Sequence, residues 1–210
     1  MTQIHATGTH ESHHRAERAT VLARVTIAST DRARSISDAT VLHNWIAARA
    51  QQLRDSGDAT WHSADAPSTS VRKSYQQGKG SKVIIEHVTM SRIQIKLSNL
   101  ELVGALVEEL SNAGASTDVT WALTEVTKRA REREARKAAV GEAREVATDY
   151  ADALGERVAR VVSISDGPQN FGYVGGVARS AAASFSAESA EVSIAEITVS
   201  ASVQGVFESE

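Results

Sequence analysis

Residues 82–114 read KVIIEHVTMSRIQIKLSNLELVGALVEELSNAG, and the spacing of their apolar side chains changes in the middle of the run. The first half, Lys82–Leu97, predicts a long strand. The second half predicts an amphipathic helix, because its apolar residues recur at three- and four-residue steps. Ser98 and Glu101 have the spacing of a capping box, and Gly114 supplies a left-handed stop. The apolar stripe of this predicted helix consists of Leu100, Val103, Leu106, Val107 and Leu110.

The sequence on either side of this run extends the pattern. Apolar spacing predicts strands at about 19–27, 60–64, 70–75, 119–123, 157–165 and 192–207, and helices at about 31–54 and 125–154. A change of parity at Ala195 and Glu196 predicts a bulge or a bend in the last strand. The order β-α-β-β-β-α-β-α-β-β predicts an α+β protein with largely antiparallel sheets, whose long strands are packed by three helices. The part up to Leu123 resembles a split β-α-β arrangement with an inserted hairpin, followed by α-β-β.

The composition excludes several classes of chemistry. The 210 residues contain no cysteine, which rules out disulfides, thiolate metal sites and a cysteine nucleophile. A formal net charge of -3 gives no general reason to expect nucleic acid or an anionic membrane as partner. No run of about 18 apolar residues predicts a transmembrane helix, so we expect no membrane insertion. Residues 1–14 show no signal peptide, which predicts a cytoplasmic protein as the sequence stands, or a periplasmic or secreted one if a leader has been removed.

Four segments of the chain, taken in order, resemble segments of one bacterial protein family. Residues 4–9, IHATGT, resemble its initial strand of V-x-G-x-G character, with Thr9 and His10 in place of the second glycine. Residues 143–155, AREVATDYADALG, resemble its A-R-x-x-A-x-x-x-A-x-x-L-G helix, and residues 158–165 match the strand that follows. Residues 194–203, IAEITVSASV, resemble its closing strand without the usual glycine. The family that these segments resemble is the SIMPL-domain family.

The resemblance implies a single SIMPL-like domain over residues 1–210, or two packed lobes at about 1–123 and 124–210. Family members often lie in the periplasm, and the family has no established catalytic residues to carry over. The Gly-, Ala- and Ser-rich composition of residues 166–191 predicts a flexible loop.

The histidine-rich start of the chain is the candidate metal site. On a strand His10 and His14 share a face, and zinc or nickel accepts such nitrogen ligands. An alternative is a polar strand or a frayed terminus with exposed imidazoles. Because no third ligand is evident, we expect no bound transition metal and no cofactor.

The basic run at residues 128–137 is the candidate nucleic-acid surface, with six basic and two acidic side chains. Spacings such as Glu132 with Arg136 are those of i,i+4 ion pairs on a solvated helix, and no aromatic residue is interleaved to stack on bases. We therefore expect a solvated face and no specific nucleic-acid binding. The glycines at 78–80 and 172–176 lack the spacing of a phosphate loop or a dinucleotide site, and no hydrolase or metalloprotease motif occurs.

These patterns predict a non-enzymatic binding or self-assembling protein of the SIMPL type. The alternatives are an enzyme or metal-binding protein that uses the histidine-rich segment, and a nucleic-acid binder that uses the basic helix. Self-assembly is expected because a 16-residue strand, Lys82–Leu97, is longer than the helices that would cover it. An edge presenting Ile93, Ile95 and Leu97 would then need a second copy to cover it.

Overall fold

The computed structural model describes residues 1–76, 82–166 and 193–210 of the chain. All strand pairs in these residues are antiparallel, which confirms the predicted α+β class with largely antiparallel sheets. The elements in chain order are β1 (Thr2–Arg15), β2 (Arg18–Ser29), α1 (Arg32–Asp55), β3 (Ala59–Ala64), β4 (Ser68–Gln76), β5 (Lys82–Leu97), α2 (Val103–Asn112), β6 (Ser116–Ala122), α3 (Glu125–Ala153), β7 (Val158–Asp166) and β8 (Glu196–Ser209).

The elements form two compact units. The first contains described residues 1–16, 123–166 and 195–210, and the second contains described residues 17–76, 82–122 and 193–194. β1 therefore belongs to the same unit as α3, β7 and β8, although more than one hundred residues separate them in the chain. The single-domain organisation stays a prediction, and the predicted loop at 166–191 lies, beyond Asp166, outside the described residues.

The first unit is a three-stranded sheet in the order β1-β8-β7 with α3 on one face. β1 and β8 pair without a shift from Thr2 with Ser209 to Arg15 with Glu196. The predicted bulge at residues 195–196 is wrong, because the change of parity there marks the start of β8. The bulges of this sheet lie in β7 instead.

The predicted order of elements omits β1, and the structure corrects it. β1 is a 14-residue strand whose buried positions are Ile4, Ala6 and Gly8. Beyond Gly8 the strand is polar on both faces, so hydrophobic spacing gives too weak a signal to predict it. Small residues on both sides allow α3 to lie close to the sheet, since its buried row is made of alanine. That row consists of Ala135, Ala139, Ala143, Ala147 and Ala151.

The second unit has the strand order β3-β5-β2-β6, and β4 continues along the β5 edge beside β3. This is the predicted split β-α-β arrangement with an inserted hairpin. The odd-numbered residues of β2 and β5 lie on the helix-covered face of the sheet and include Val21, Val25, Ile93 and Ile95, all fully buried. Arg49 of α1 binds Glu109 of α2 at 3.0 Å, which joins the two helices.

Capping differs between the helices. Asp31 caps α1 by accepting from the backbone N–H of Ala33 at 2.8 Å, and Thr124 caps α3. The predicted capping box at Ser98 is wrong, because a 3-10 turn at Leu100–Leu102 precedes α2 without a side-chain cap. The Ser98 hydroxyl instead donates to the carbonyls of Gly57 and Asp58 in the turn after α1. Its hydroxyl therefore binds this turn and does not cap α2.

Candidate functional site

The histidines of β1 do not converge on a metal ion in the described residues. His10 is exposed, and the His14 ring lies 3.0 Å from the Ser12 hydroxyl. His13 lies on the opposite face of the strand and contacts Thr198 at 3.0 Å. The described part of the chain holds no group of three His, Asp or Glu side chains placed to bind a metal. No described residue therefore supplies the third ligand that a metal site at His10 and His14 would need.

The basic run is the N-terminal half of α3 and is largely exposed. Arg131 binds Glu134 at 2.7 Å, whereas Glu132 and Arg136 do not form the expected ion pair in the described residues. The absence of nucleic-acid binding stays a prediction. The glycine-rich segments at 77–81 and 172–176 lie outside the described residues.

A serine and a histidine come together beneath α1 in the second unit. The His43 Nδ1 atom lies 3.0 Å from the Ser91 hydroxyl. Ser91 is 5% exposed and belongs to a buried polar row in which Ser35 bonds to Thr89 at 2.8 Å and to the carbonyl of Ile27. A nucleophile must reach its substrate, so this burial indicates that the pair fixes α1 on the sheet rather than attacking a ligand.

Two carboxylates hold strand and helix ends in place. Glu156, just beyond α3, accepts hydrogen bonds from the hydroxyls of Ser209 and Thr2, and these bonds lower the pKa of its carboxyl. Asp58 accepts bonds from Ser56 and Asn99, which lower the pKa of the Asp58 carboxyl. Ser56 is a local partner of Asp58, whereas Asn99 and both partners of Glu156 are distant in the sequence, so these distant bonds favour the charged carboxylates only in the folded chain.

The Glu156 contacts predict a defined pH dependence. A carboxyl whose pKa is lowered on folding stabilises the fold above its unfolded pKa, and the contribution is lost as pH falls through the folded value. We expect Glu156→Gln to lower the melting temperature at pH 7. The difference from wild type should shrink as the pH falls below 4.5, the ordinary value. Thermal unfolding from pH 7 to 3 measures this, with the exposed Glu196→Gln as control. A difference that stays constant over this range would contradict the assignment.

A two-stranded arm in the second unit presents exposed apolar side chains. β5 pairs with β2 only from His87 onward, so its residues 82–86 pair with β4 alone. We call residues 72–76 and 82–86 the arm. Val83 and Ile85 in the arm are 47% and 49% exposed, and Val71 at its base is 57% exposed. These odd-numbered positions share a face with Thr89, where Ser35 in the first turns of α1 makes its contact. The helix does not extend over the arm.

Comparison with known proteins assigns the chain to a family. The SIMPL family model, described as a protein of unknown function (DUF541), matches residues 4–207. The chain belongs to the SIMPL family. A search of curated proteins found no match. The family description assigns no role to any residue, so the surfaces of this SIMPL chain have to be interpreted from their geometry.

The exposed apolar surface of β5 does not lie where the sequence predicts it. Ile93, Ile95 and Leu97 are fully buried, because β5 lies between β2 and β3 and its odd-numbered residues face the helices. In this SIMPL protein, the part of β5 that extends beyond α1 lies at the opposite end of the strand. The lengths alone indicate an overhang, since β5 spans about 54 Å and α1 about 36 Å. Which end is left uncovered depends on where α1 packs.

β7 presents a second exposed apolar surface of the SIMPL chain. Val161, Val162 and Ile164 are all exposed, and β7 is an edge strand of its sheet. Its two register shifts are irregularities of the kind that protect sheet edges from pairing with another strand. The arm has no such protection along the described part of β5, whose pairing with β4 is regular. No helix in the described residues is long and apolar enough to span a membrane.

Proposed function

We propose that this SIMPL protein is a non-enzymatic, self-assembling protein whose function lies in its surfaces. The observation that carries the proposal is the arm. A two-stranded hairpin is marginally stable by itself in water, and this one also exposes Val83 and Ile85. A second copy of the chain would pair the free edge of β5 and place its own apolar side chains beside these.

The register of the arm supports a second copy as its occupant. An antiparallel pair of two β5 strands with Ile84 at the centre places Val83 beside Ile85 of the second copy. A contact that is complementary to itself is what a two-fold symmetric interface requires. The pairing would also convert two hairpins into one four-stranded sheet.

Charges placed in the arm are expected to break the assembly. In Val83→Lys/Ile85→Lys each new lysine would face a lysine of the second copy, and like charges directly across a strand pair are destabilising. We expect the mass measured by light scattering after size exclusion to fall to half or less of the wild-type value. Thr26→Lys is the matched control, because it adds a charge at an exposed strand position of the same sheet. A double variant that keeps the full wild-type mass would remove the arm from the proposed interface.

A further inference from the structure

α3 carries its charges in two blocks of opposite sign. Residues 125–140 hold six basic and three acidic side chains, whereas residues 141–153 hold four acidic and one basic. The helix macrodipole favours acidic residues near the N-terminus and basic residues near the C-terminus. The blocks run the other way, so this arrangement costs helix stability and needs a different explanation.

A single row of exposed residues shows the same division. Two residues ahead of each buried alanine, and so about 200° around the helix, lies an exposed side chain. These positions advance four residues at a time, parallel to the buried row and opposite it. We call them the outer row, which consists of Arg133, Lys137, Gly141, Glu145 and Asp149.

The residues of the outer row lower the stability of the helix, and no contact within the described residues compensates for this. Arg133 with Lys137, and Glu145 with Asp149, are like charges at i,i+4, and none of the four forms an ion pair in the described residues. Gly141 costs about 1 kcal/mol relative to alanine in a helix interior. A Cβ atom added there would meet nothing within 4 Å, so no contact in the described residues requires a glycine. Such local conflicts are expected at functional surfaces.

We propose that the outer row is a contact through which α3 packs antiparallel against α3 of a second copy of this chain. A two-fold axis at Gly141 pairs residues of the two copies that lie at equal distances on either side of Gly141 in the sequence. Lys137 then faces Glu145 of the second copy, and Arg133 faces Asp149 of the second copy. Symmetry repeats both pairs, which gives four ion pairs in one contact.

The packing geometry of helices agrees with this arrangement. Rows that advance four residues at a time form the ridges that interdigitate in the commonest class of helix pairs. Gly141 at the crossing point would let the two backbones approach closely, which explains a glycine where no contact within the described chain requires one. The inference rests on the proposed self-assembly and adds to it a second contact surface, in the first unit.

Charge reversal tests the contact. Arg133→Glu/Lys137→Glu makes the row acidic throughout, and Glu145→Lys/Asp149→Lys makes it basic throughout. Each variant alone should lose the contact, and its mass by light scattering should fall to half or less of the wild-type value. An equimolar mixture of the two should recover the wild-type mass, because the acidic row then meets the basic row. The quadruple variant, which exchanges the charges of the two halves of the outer row, should recover it too.

The outcomes separate this inference from the proposed function. Wild-type protein that is an assembly, together with reversal variants of unchanged mass, would overturn the α3 contact and leave self-assembly standing. A loss of mass without recovery in the mixture would also overturn the contact. A wild-type protein that is a monomer would overturn both proposals.

A single introduced thiol tests where the two-fold axis lies. The chain has no cysteine of its own, so Gly141→Cys would provide the only thiol. Disulfides need Cα atoms within about 7 Å, and the two copies of residue 141 meet that limit only if the helices cross there. Arg133→Cys is the control, since the proposed packing places its two copies about 24 Å apart along the helices. We expect G141C to form a disulfide-linked dimer under mild oxidation and R133C to remain unlinked. Equal linking of both variants would overturn the proposed axis.

Discussion

Gly8→Ala is expected to lower the free energy of unfolding of the first unit by about 3 kcal/mol, at the upper end of the cost of overpacking. A Cβ atom at Gly8 would collide with the carbonyl oxygen of Ala139 and the backbone nitrogen of Ala143, and would lie 3.0 Å from the Ala143 Cα atom. Backbone atoms of a helix cannot move aside individually as a flexible side chain can. α3 would have to lift away from β1, and its alanine row would lose contact with the sheet.

Urea denaturation followed by circular dichroism, with hydrogen exchange of the β1 and α3 amides, measures this effect. All three tryptophans, Trp45, Trp61 and Trp121, lie in the second unit, so their fluorescence does not report on the first. Thr7→Ala is the control, because Thr7 is the exposed neighbour on the other face of the same strand. Strand propensities span about 1 kcal/mol, so its effect should stay within that range. A Gly8→Ala protein as stable as this control would show that α3 does not lie against β1 as described.

Trp121→Ala is expected to lower the free energy of unfolding of the second unit by about 3–5 kcal/mol. Trp121 in β6 is fully buried and is the largest of the fully buried side chains in the described residues. Its removal leaves a cavity that the packed sheet and helices can fill only in part. The indole N–H has no hydrogen-bond partner in the described residues, which already costs part of the gain from burial.

Trp121→Phe separates the packing from the unpartnered N–H. Phenylalanine keeps most of the apolar volume and removes the buried donor, so we expect a loss of no more than about 1.5 kcal/mol. Denaturation followed by the fluorescence of Trp45 and Trp61 measures both variants. If Trp121→Phe costs as much as Trp121→Ala, the indole N–H makes a stabilising bond.

Hydrophobic spacing predicts most elements of this chain because burial follows it closely. The apolar alternation of β2 corresponds to a buried face, and the predicted ends of α1 and α3 lie within about two residues of those in the structure, as is usual for helix ends. Hydrophobic spacing does not predict β1, because its buried positions are Ile4 and the two small residues Ala6 and Gly8. Resemblance to a known family supplies that strand where spacing does not.

Surface features could be predicted only in part, because they depend on distant neighbours. The overhang of β5 follows from its length, but its exposed end depends on where α1 packs through Ser35 and Thr89. Ser98 has the right spacing for a cap, yet the carbonyls of Gly57 and Asp58 take its hydroxyl. The charges of α3 are visible in the sequence, whereas the outer row becomes a surface only once the buried alanine face is known.

The mass of the wild-type protein tests self-assembly most directly. Sedimentation equilibrium of the untagged chain at moderate salt, over a dilution series in the micromolar range, gives that mass independently of shape. The proposed interfaces predict a mass of at least twice 22.4 kDa that falls only on strong dilution. A mass of 22.4 kDa at every concentration would contradict self-assembly, because the arm and the outer row of α3 would then face solvent without a second copy.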